Sequence, residues 1–213
     1  MTKPLRNRLA KRPILPALVV RVALIFLPAV AVGTIAHELG HWVVARLGGC
    51  APVLHFAWVT PSCPPGLQPA LRHLGVAGGP VSSMLTGTLG MVLLHRWRVH
   101  SSTLDVAGMV YTVLALFWAR PLFNLLVQLL SVGLGLATMD DLRHSDEARL
   151  SLYLGLPALS LGLVSAALAL GVCVWTARCV PVRTRSSWFI GAAIGALSGF
   201  VIWMTALGPL VLP

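Results

Sequence analysis

The chain has 213 residues, of which 57% are hydrophobic and only 10% charged, and its mean hydropathy is +0.85. This composition excludes most water-soluble folds, and at this length we expect a single domain over residues 1–213. The formal net charge is +10, but Lys and Arg lie at the start and between apolar runs, as topology signals do in membrane proteins. We therefore expect an integral, multi-pass protein of the cell membrane that contacts the lipid bilayer and binds no nucleic acid.

A basic N-terminal tail, residues 1–13, precedes an apolar segment that runs from about Ile14 to Leu47. The tail is not expected to belong to a cleaved signal peptide, because the apolar run continues past His37 without a small-residue cleavage site. The run is too long for one simple crossing and too short for two, and Pro28 and Gly33 are its expected kink points. It predicts one long or broken helix.

The composition changes after this helix. From Gly48 to about Leu74 the chain is rich in Pro, Gly and Cys with alternating apolar residues, which predicts a short hairpin or re-entrant loop rather than a crossing. Cys50 and Cys63 flank this loop and could form a disulfide if it faces an oxidising compartment. A second span is expected from Val76 to Leu94, opened by the segment Gly78-Gly79-Pro80.

The rest of the chain alternates apolar and polar segments. Leu104 to Ala137 is interrupted by Arg120-Pro121, which favours one broken helix over two short ones. Met139 to Arg149 is polar and acidic, and two further spans are expected at Leu150–Trp175 and Trp188–Leu207. The sequence thus predicts an all-α polytopic membrane protein with five or six transmembrane helices.

One ionisable motif lies inside the first apolar segment, where a charged side chain is costly unless it is paired or used. His37-Glu38-Leu39-Gly40-His41 contains the pattern H-E-x-x-H, which the composition of the chain produces by chance roughly 0.002 times. On a helix, His37 and His41 share a face and can bind one Zn²⁺ ion, while Glu38 reaches the water on that ion as general base. The alternative is a pair of core histidines bonded to a buried Glu.

A zinc site with two histidines needs a third protein ligand from another segment. Asp105 opens a span, and three more aspartates occur in the acidic segment. Five further histidines are also available. The sequence offers Asp105, Asp140, Asp141, Asp146, His55, His73, His95, His100 and His144. A loop Asp is also a good helix N-cap or a solvated charge, so these candidates stay open on the residues alone.

Three separated features make the chain resemble the site-2 protease-like family of zinc-dependent intramembrane metalloproteases. The segment from His37 to His41 matches the H-E-x-G-H motif of that family, including the glycine. The segment from Ala77 to Ser83 is similar to the Gly-Pro element that helps form the substrate-binding surface in the family, which implies substrate contacts for Gly79 and Pro80. The resemblance covers roughly Thr34 to Pro157.

The third feature is a later carboxylate, which the family presents as an Asp followed by Gly-Gly-Arg. Here Asp140-Asp141-Leu142-Arg143 and Asp146-Glu147-Ala148-Arg149 compete, and neither keeps the glycines. The stretch from Ser145 to Pro157 resembles the Ser-Asp-then-helix segment of smaller family members, so the resemblance favours Asp146 as third ligand over Asp140 or Asp141. Asn124 corresponds to the family's Asn, at a longer spacing than usual.

The resemblance implies peptide-bond hydrolysis in a membrane-embedded protein substrate, with His37, His41 and Asp146 as zinc ligands and Glu38 as general base. The alternatives are a non-catalytic zinc- or partner-binding membrane protein of the same ancestry and a small transporter with a His/Glu relay.

Arg120 would partner an active-site carboxylate or a substrate carbonyl, or extend to a headgroup. If Leu104 to Ala137 is one crossing, positive-inside counting places the motif away from the cytoplasm. The resemblance instead implies a zinc near the cytoplasmic face, so the orientation stays open. The oligomeric state is also open.

Overall fold

A computed structural model describes residues 14–213, without the side chain of residue 69. The basic tail of residues 1–13 lies outside the described residues. About 75% of the described residues are helical. The helices and strands are α1 (Pro16–Leu47), β1 (Val53–Leu54), β2 (Val59–Thr60), α2 (Pro69–His100), α3 (Val106–Ala115), α4 (Arg120–Gly133), α5 (Asp146–Tyr153), α6 (Ser160–Cys179), α7 (Arg185–Ile202) and α8 (Gly208–Val211).

Five helical stretches among the described residues are long and apolar enough to cross a membrane. They are Pro16–Leu47, Ala70–His100, Val106–Gly133, Ser160–Cys179 and Arg185–Val211. This agrees with an all-α polytopic protein and with the lower of the two predicted numbers of crossings. A 3₁₀ turn at Leu116–Ala119 separates α3 from α4 immediately before Arg120, so the prediction of one broken helix there is confirmed.

The first span is a single helix of 32 residues that contains Pro28, as predicted. The second span begins at Pro69 rather than Val76, because Pro69 occupies the first helical turn, where its missing N–H costs nothing. Gly78-Gly79-Pro80 therefore lies inside α2 and does not open it.

The expected single span at Leu150–Trp175 is wrong at its start. Helix α5 ends at Tyr153, and Gly155 follows with a φ of +70°, a left-handed conformation that glycine adopts without steric cost. Pro157 follows within the connection, and α6 begins at Ser160. The span is therefore a 20-residue helix, and α5 is a separate short helix that carries part of the acidic segment.

Helix α1 packs against α7 and α2. Gly191, Gly195 and Gly199 of α7 each lie against the α1 backbone, at Val19, Ala23 and Leu27. Small residues at this four-residue spacing let two membrane helices approach closely. The same residue pairs show that α1 and α7 run parallel.

A second close approach joins α1 to α2 within the H-E-x-G-H motif. A Cβ added at Gly40 would meet the carbonyl oxygen of Gly78 and lie 2.6 Å from Ser82 Cβ. Ser82 also donates a 2.7 Å hydrogen bond to the Ala36 carbonyl. The motif glycine therefore brings the two helices together at the level of the two histidines.

Substitution of Gly40 by alanine should force α1 and α2 apart. We expect a loss of about 1–3 kcal/mol in the free energy of unfolding, the usual cost of overpacking, visible as a lower melting temperature in detergent. Gly171→Ala is the matched control, because Gly171 lies inside α6 with no atom within 4 Å of an added Cβ. Equal melting of the two variants would show that the helices do not need this close approach.

The predicted hairpin after α1 is present as a two-stranded antiparallel sheet, with Val53 opposite Thr60 and Leu54 opposite Val59. Cys50 and Cys63 form a disulfide that closes its base. The hairpin also contacts the last helical segment, since Trp203 donates its indole N–H to the Phe56 carbonyl at 3.1 Å. This small sheet therefore sits at the end of the bundle where α1 ends and α2 begins.

Candidate metal centre

The two histidines of the motif point the same way, as their spacing on α1 predicts. His37 Nε2 and His41 Nε2 lie 3.1 Å apart. Asp146, 109 residues further along the chain than His37, places its Oδ2 atom 3.0 Å from His37 Nε2 and 3.2 Å from His41 Nε2. The three residues form a group that could hold a metal ion.

The spacing of these three atoms fits a tetrahedral ion. Bonds of about 2.0 Å in tetrahedral geometry separate ligand atoms by about 3.3 Å, close to the observed separations of 3.0–3.2 Å. Two imidazole nitrogens and one carboxylate oxygen are also a donor set used by catalytic zinc sites, which leave the fourth position open. The residues present therefore suit a small divalent cation with one exchangeable site.

The outer nitrogen of each imidazole has a partner on α2. His41 Nδ1 lies 2.8 Å from the Gly75 carbonyl oxygen, and His37 Nδ1 lies 3.0 Å from Ser83 Oγ. The Gly79 N–H also approaches His41 Nδ1, at 3.3 Å, but the carbonyl is closer and can only accept. This assigns the proton of His41 to Nδ1 and leaves Nε2 with a lone pair for a cation.

Ser83 is expected to support the metal site through His37. Removing its hydroxyl in Ser83→Ala frees the imidazole to rotate, and partners of this kind change metal affinity by about 10–100-fold. Competition with a chelator of known affinity measures the change on purified protein. Ser165→Ala is the control, since Ser165 is a buried serine that bonds only carbonyls of its own helix. An unchanged affinity in Ser83→Ala would remove Ser83 from the site.

Asp146 reaches the histidines because of where α5 begins. Ser145 is the N-cap of α5 and accepts a hydrogen bond from the Ala148 N–H at 3.3 Å. This cap fixes Asp146 in the first helical turn. Ser145 therefore caps α5, as the sequence suggests for this stretch, and the adjacent Asp146 lies close to the histidines.

The other carboxylate candidates have local partners. Asp141 accepts hydrogen bonds from the N–H and hydroxyl of Thr138, which hold the pKa of that carboxyl below its usual range. Asp140 is exposed and pairs with Arg143 at 3.5 Å. Asp105 caps α3 and accepts from Trp97 Nε1 and Gly108 N–H. Among the described residues, Asp146 is the one carboxylate that joins the histidine pair.

Glu38 lies beside the cluster and is 4% exposed. Its carboxylate pairs with the guanidinium of Arg120, which extends from the start of α4 to within 3.3 Å of Glu38 Oε1. Of the partners that the sequence offers for Arg120, the structure shows a carboxylate. Its Nε–H is buried without a hydrogen-bond partner among the described residues, so part of its donor capacity is unused.

A cavity of about 800 Å³ opens beside these residues. Its wall includes Trp58 and Pro61 of the hairpin segment and both cysteines of the disulfide. Helix α4 contributes Arg120, Asn124 and Gln128, which share one face because they are four residues apart. The cavity is thus polar on one side, and it is large enough for an extended peptide segment to reach the cluster.

Gly79 and Pro80, for which the resemblance implies substrate contacts, lie in a different setting. A Cβ added at Gly79 would collide with the imidazoles of both His37 and His41. Pro80 is buried inside α2. The cavity wall instead receives Gly75 and Val76 from this helix. Gly79 leaves room for the histidine pair, and substrate contact by either residue stays a prediction.

Of the five other histidines, His144 lines the cavity. It lies outside the cluster, as do His55, His73, His95 and His100. Ser83, Gly75 and Gln128 are the site residues that sequence reasoning did not single out. The four-residue spacing from Arg120 through Asn124 to Gln128 could have shown the polar face of α4.

Comparisons with protein-family profiles, with curated proteins and with solved structures find no match to this chain. A functional assignment therefore depends on the geometry of the metal centre and its cavity.

Proposed function

We propose that the chain is a zinc-dependent intramembrane metalloprotease that hydrolyses peptide bonds of membrane-embedded protein substrates. The observation that carries this proposal is the meeting of Asp146 with His37 and His41, at ligand spacing and beside the buried Glu38. A structural His-Glu-His cluster would not need a third donor from a distant helix at tetrahedral spacing.

The nature of the metal follows from the donors. Two imidazoles and one carboxylate suit zinc, and a divalent zinc ion supplies a Lewis acid and a water molecule of lowered pKa. His37, His41 and Asp146 would hold the ion. The outer contacts to Ser83 and Gly75 keep both imidazoles oriented toward it.

The proposed reaction divides its proton transfers among residues of the chain. Glu38 accepts a proton from the attacking water and later gives it to the leaving amine. Arg120 holds the Glu38 carboxylate in place and puts a positive charge beside it. The face of α4 that carries Asn124 and Gln128 offers amide groups that can bond the backbone of an extended substrate. The composition of this segment predicts a short hairpin or a re-entrant loop, and entry of the hairpin into the membrane stays a prediction.

Elemental analysis of the detergent-purified protein tests the metal, and cleavage of a membrane protein with one span and a tag on each side tests the activity. We expect about one zinc per chain after exposure to zinc and dialysis, and two tagged fragments that a chelator prevents. Folded protein that binds no zinc would overturn the proposal. Zinc binding with no cleavage of a panel of such substrates would favour the non-catalytic alternative.

Arg120 is expected to act as a positioning residue for Glu38. Arg120→Gln should lower kcat by roughly 10²-fold, the scale of losing one electrostatic contact in a site of this kind, while KM and zinc content change little. Arg120→Lys should recover part of the rate because it keeps the charge. If both variants keep wild-type kcat in the cleavage assay and only melt earlier, the role of Arg120 is structural.

A further inference from the structure

The five spans have two distinct ends. The first end, called the basic end, gathers the start of α1, the end of α2, the start of α3, the end of α6 and the start of α7. Three contacts establish it: the Leu15 N–H donates to Ser187 Oγ at 2.9 Å, Trp97 donates to Asp105, and Arg98 reaches Cys179. The opposite end carries the hairpin and α5, and is called the hairpin end.

Lys and Arg are distributed unequally between these ends. The described residues at the basic end include Arg96, Arg98, Arg178, Arg183 and Arg185. Five more basic residues precede α1 in the sequence, namely Lys3, Arg6, Arg8, Lys11 and Arg12. Those at the hairpin end are Arg46, Arg72, Arg143 and Arg149. The positive-inside rule counts Lys and Arg in short segments next to the spans, and it assigns the basic end to the cytoplasm.

The cysteines give an independent indication. Cys50 and Cys63 are paired at the hairpin end. Cys173 and Cys179 are free thiols of α6, and Cys179 lies at the basic end. Disulfides persist in oxidising compartments and are rare in the cytosol. Both observations therefore place the hairpin end outside the cytoplasm.

The candidate metal centre belongs to the hairpin end. His37 is separated along α1 by about 15 Å of helical rise from Leu47 and by about 31 Å from Pro16. The cavity beside it is walled by Cys50, Cys63 and the hairpin, and its exposed lining residues include Trp58, Pro61 and His144, so it opens at the hairpin end. Its wall contains none of the five arginines that the described residues place at the basic end.

We infer that the metal centre opens to the oxidising, non-cytoplasmic side of the membrane, where the Cys50–Cys63 disulfide closes the hairpin that walls its cavity. Resting on the proposed function, this defines the substrate class as membrane proteins cut near the non-cytoplasmic end of a span. It resolves the conflict over orientation in favour of the charge distribution and against the cytoplasmic placement that the resemblance implies.

Cysteine labelling of the full chain in intact cells tests the orientation. In a background with Cys173→Ala and Cys179→Ala, Met139→Cys reports the hairpin end and Ser102→Cys the basic end, since both residues are exposed in connections between spans. A membrane-impermeant maleimide, given access to the outer face of the membrane, should label Met139→Cys before lysis and Ser102→Cys after lysis. The reverse pattern, or equal reaction at both positions before lysis, overturns the inference.

The state of the disulfide is measured separately. Cells are quenched in acid, denatured and treated with a thiol reagent that adds mass, so that Cys173 and Cys179 react before reduction and Cys50 and Cys63 react after it. Cys50→Ser is the control, and it should expose Cys63 to the reagent without reduction. Reaction of all four cysteines of the wild type before reduction overturns the assignment of an oxidising side.

Both assays are repeated on Glu38→Gln, which removes the proposed base. Neither readout depends on bound zinc or on cleavage, so the same labelling in this variant shows that the orientation holds whether or not the proposed activity does. An inactive protein with the expected labelling would contradict the proposed function alone. An active protein with reversed labelling would contradict the inference alone.

Discussion

Glu38→Gln should slow cleavage of a membrane-embedded substrate by orders of magnitude while the protein keeps its zinc. The amide has the size and hydrogen-bonding reach of the carboxylate but cannot accept the proton of the attacking water. General acid–base groups contribute about 10²–10⁴-fold to rate, and we expect a loss of that order. Glu38 is not one of the three clustered donors, so zinc content measured on the same preparation should match the wild type.

The matched control for this variant is Glu147→Gln, the same chemical change at the other Glu of the chain. Glu147 lies on α5 next to Asp146 but outside the clustered donors, and it lines a separate small cavity of about 10 Å³. The Glu147→Gln variant should cleave the substrate at close to the wild-type rate. If Glu38→Gln still cuts while Glu147→Gln does not, the base has been assigned to the wrong carboxylate. If neither change affects cleavage, general-base catalysis by a Glu is excluded.

The local parts of this site can be predicted from the sequence because they depend on one helix at a time. The spacing of His37 and His41 places them on one face whatever α1 packs against. Arg120-Pro121 predicts the break between α3 and α4, and Ser145 predicts the start of α5. Each of these features is encoded within about one helical turn, so no tertiary information is needed.

Partners contributed by a second element cannot be predicted in this way. Ser83 and the Gly75 carbonyl face the histidines only because Gly40 and Gly78 let α1 and α2 approach closely. The start of α2 differs from its predicted position because the helix is longer than its apolar part. Its first turns, from Pro69 to Gly75, are less apolar than a span, so hydropathy places the start of the crossing later than the start of the helix.

The choice among the acidic residues shows the same limit. Asp140, Asp141 and Asp146 lie within seven residues and share an acidic, polar setting, so composition does not separate them. In the structure, the partner of each carboxylate distinguishes these residues. The 3₁₀ turn at Asp141–His144 leaves Asp141 with Thr138, while the Ser145 cap turns the next residue toward α1. The orientation of one short segment therefore decides which carboxylate lies beside the histidines.

Because only Asp146 of these three residues joins the histidines, we expect a second large effect, the loss of zinc in Asp146→Asn. The substitution keeps the shape of the side chain and its place in the first turn of α5 but removes the charge that the cation needs. We expect zinc content to fall from about one per chain to near zero at concentrations that saturate the wild type, and cleavage to be lost with it.

Asp140→Asn and Asp141→Asn are the matched controls, because each removes one acidic charge from the same segment without touching the histidines. Both should retain zinc and cleavage, although Asp141→Asn loses the charge that strengthens its bonds from Thr138 and should melt slightly earlier. Melting in detergent must show that Asp146→Asn is folded, and His37→Ala provides the reference for complete metal loss. If folded Asp146→Asn binds zinc as tightly as the wild type while another of these variants does not, the assignment of the third ligand is wrong, and the convergence of α5 on α1 reflects packing alone.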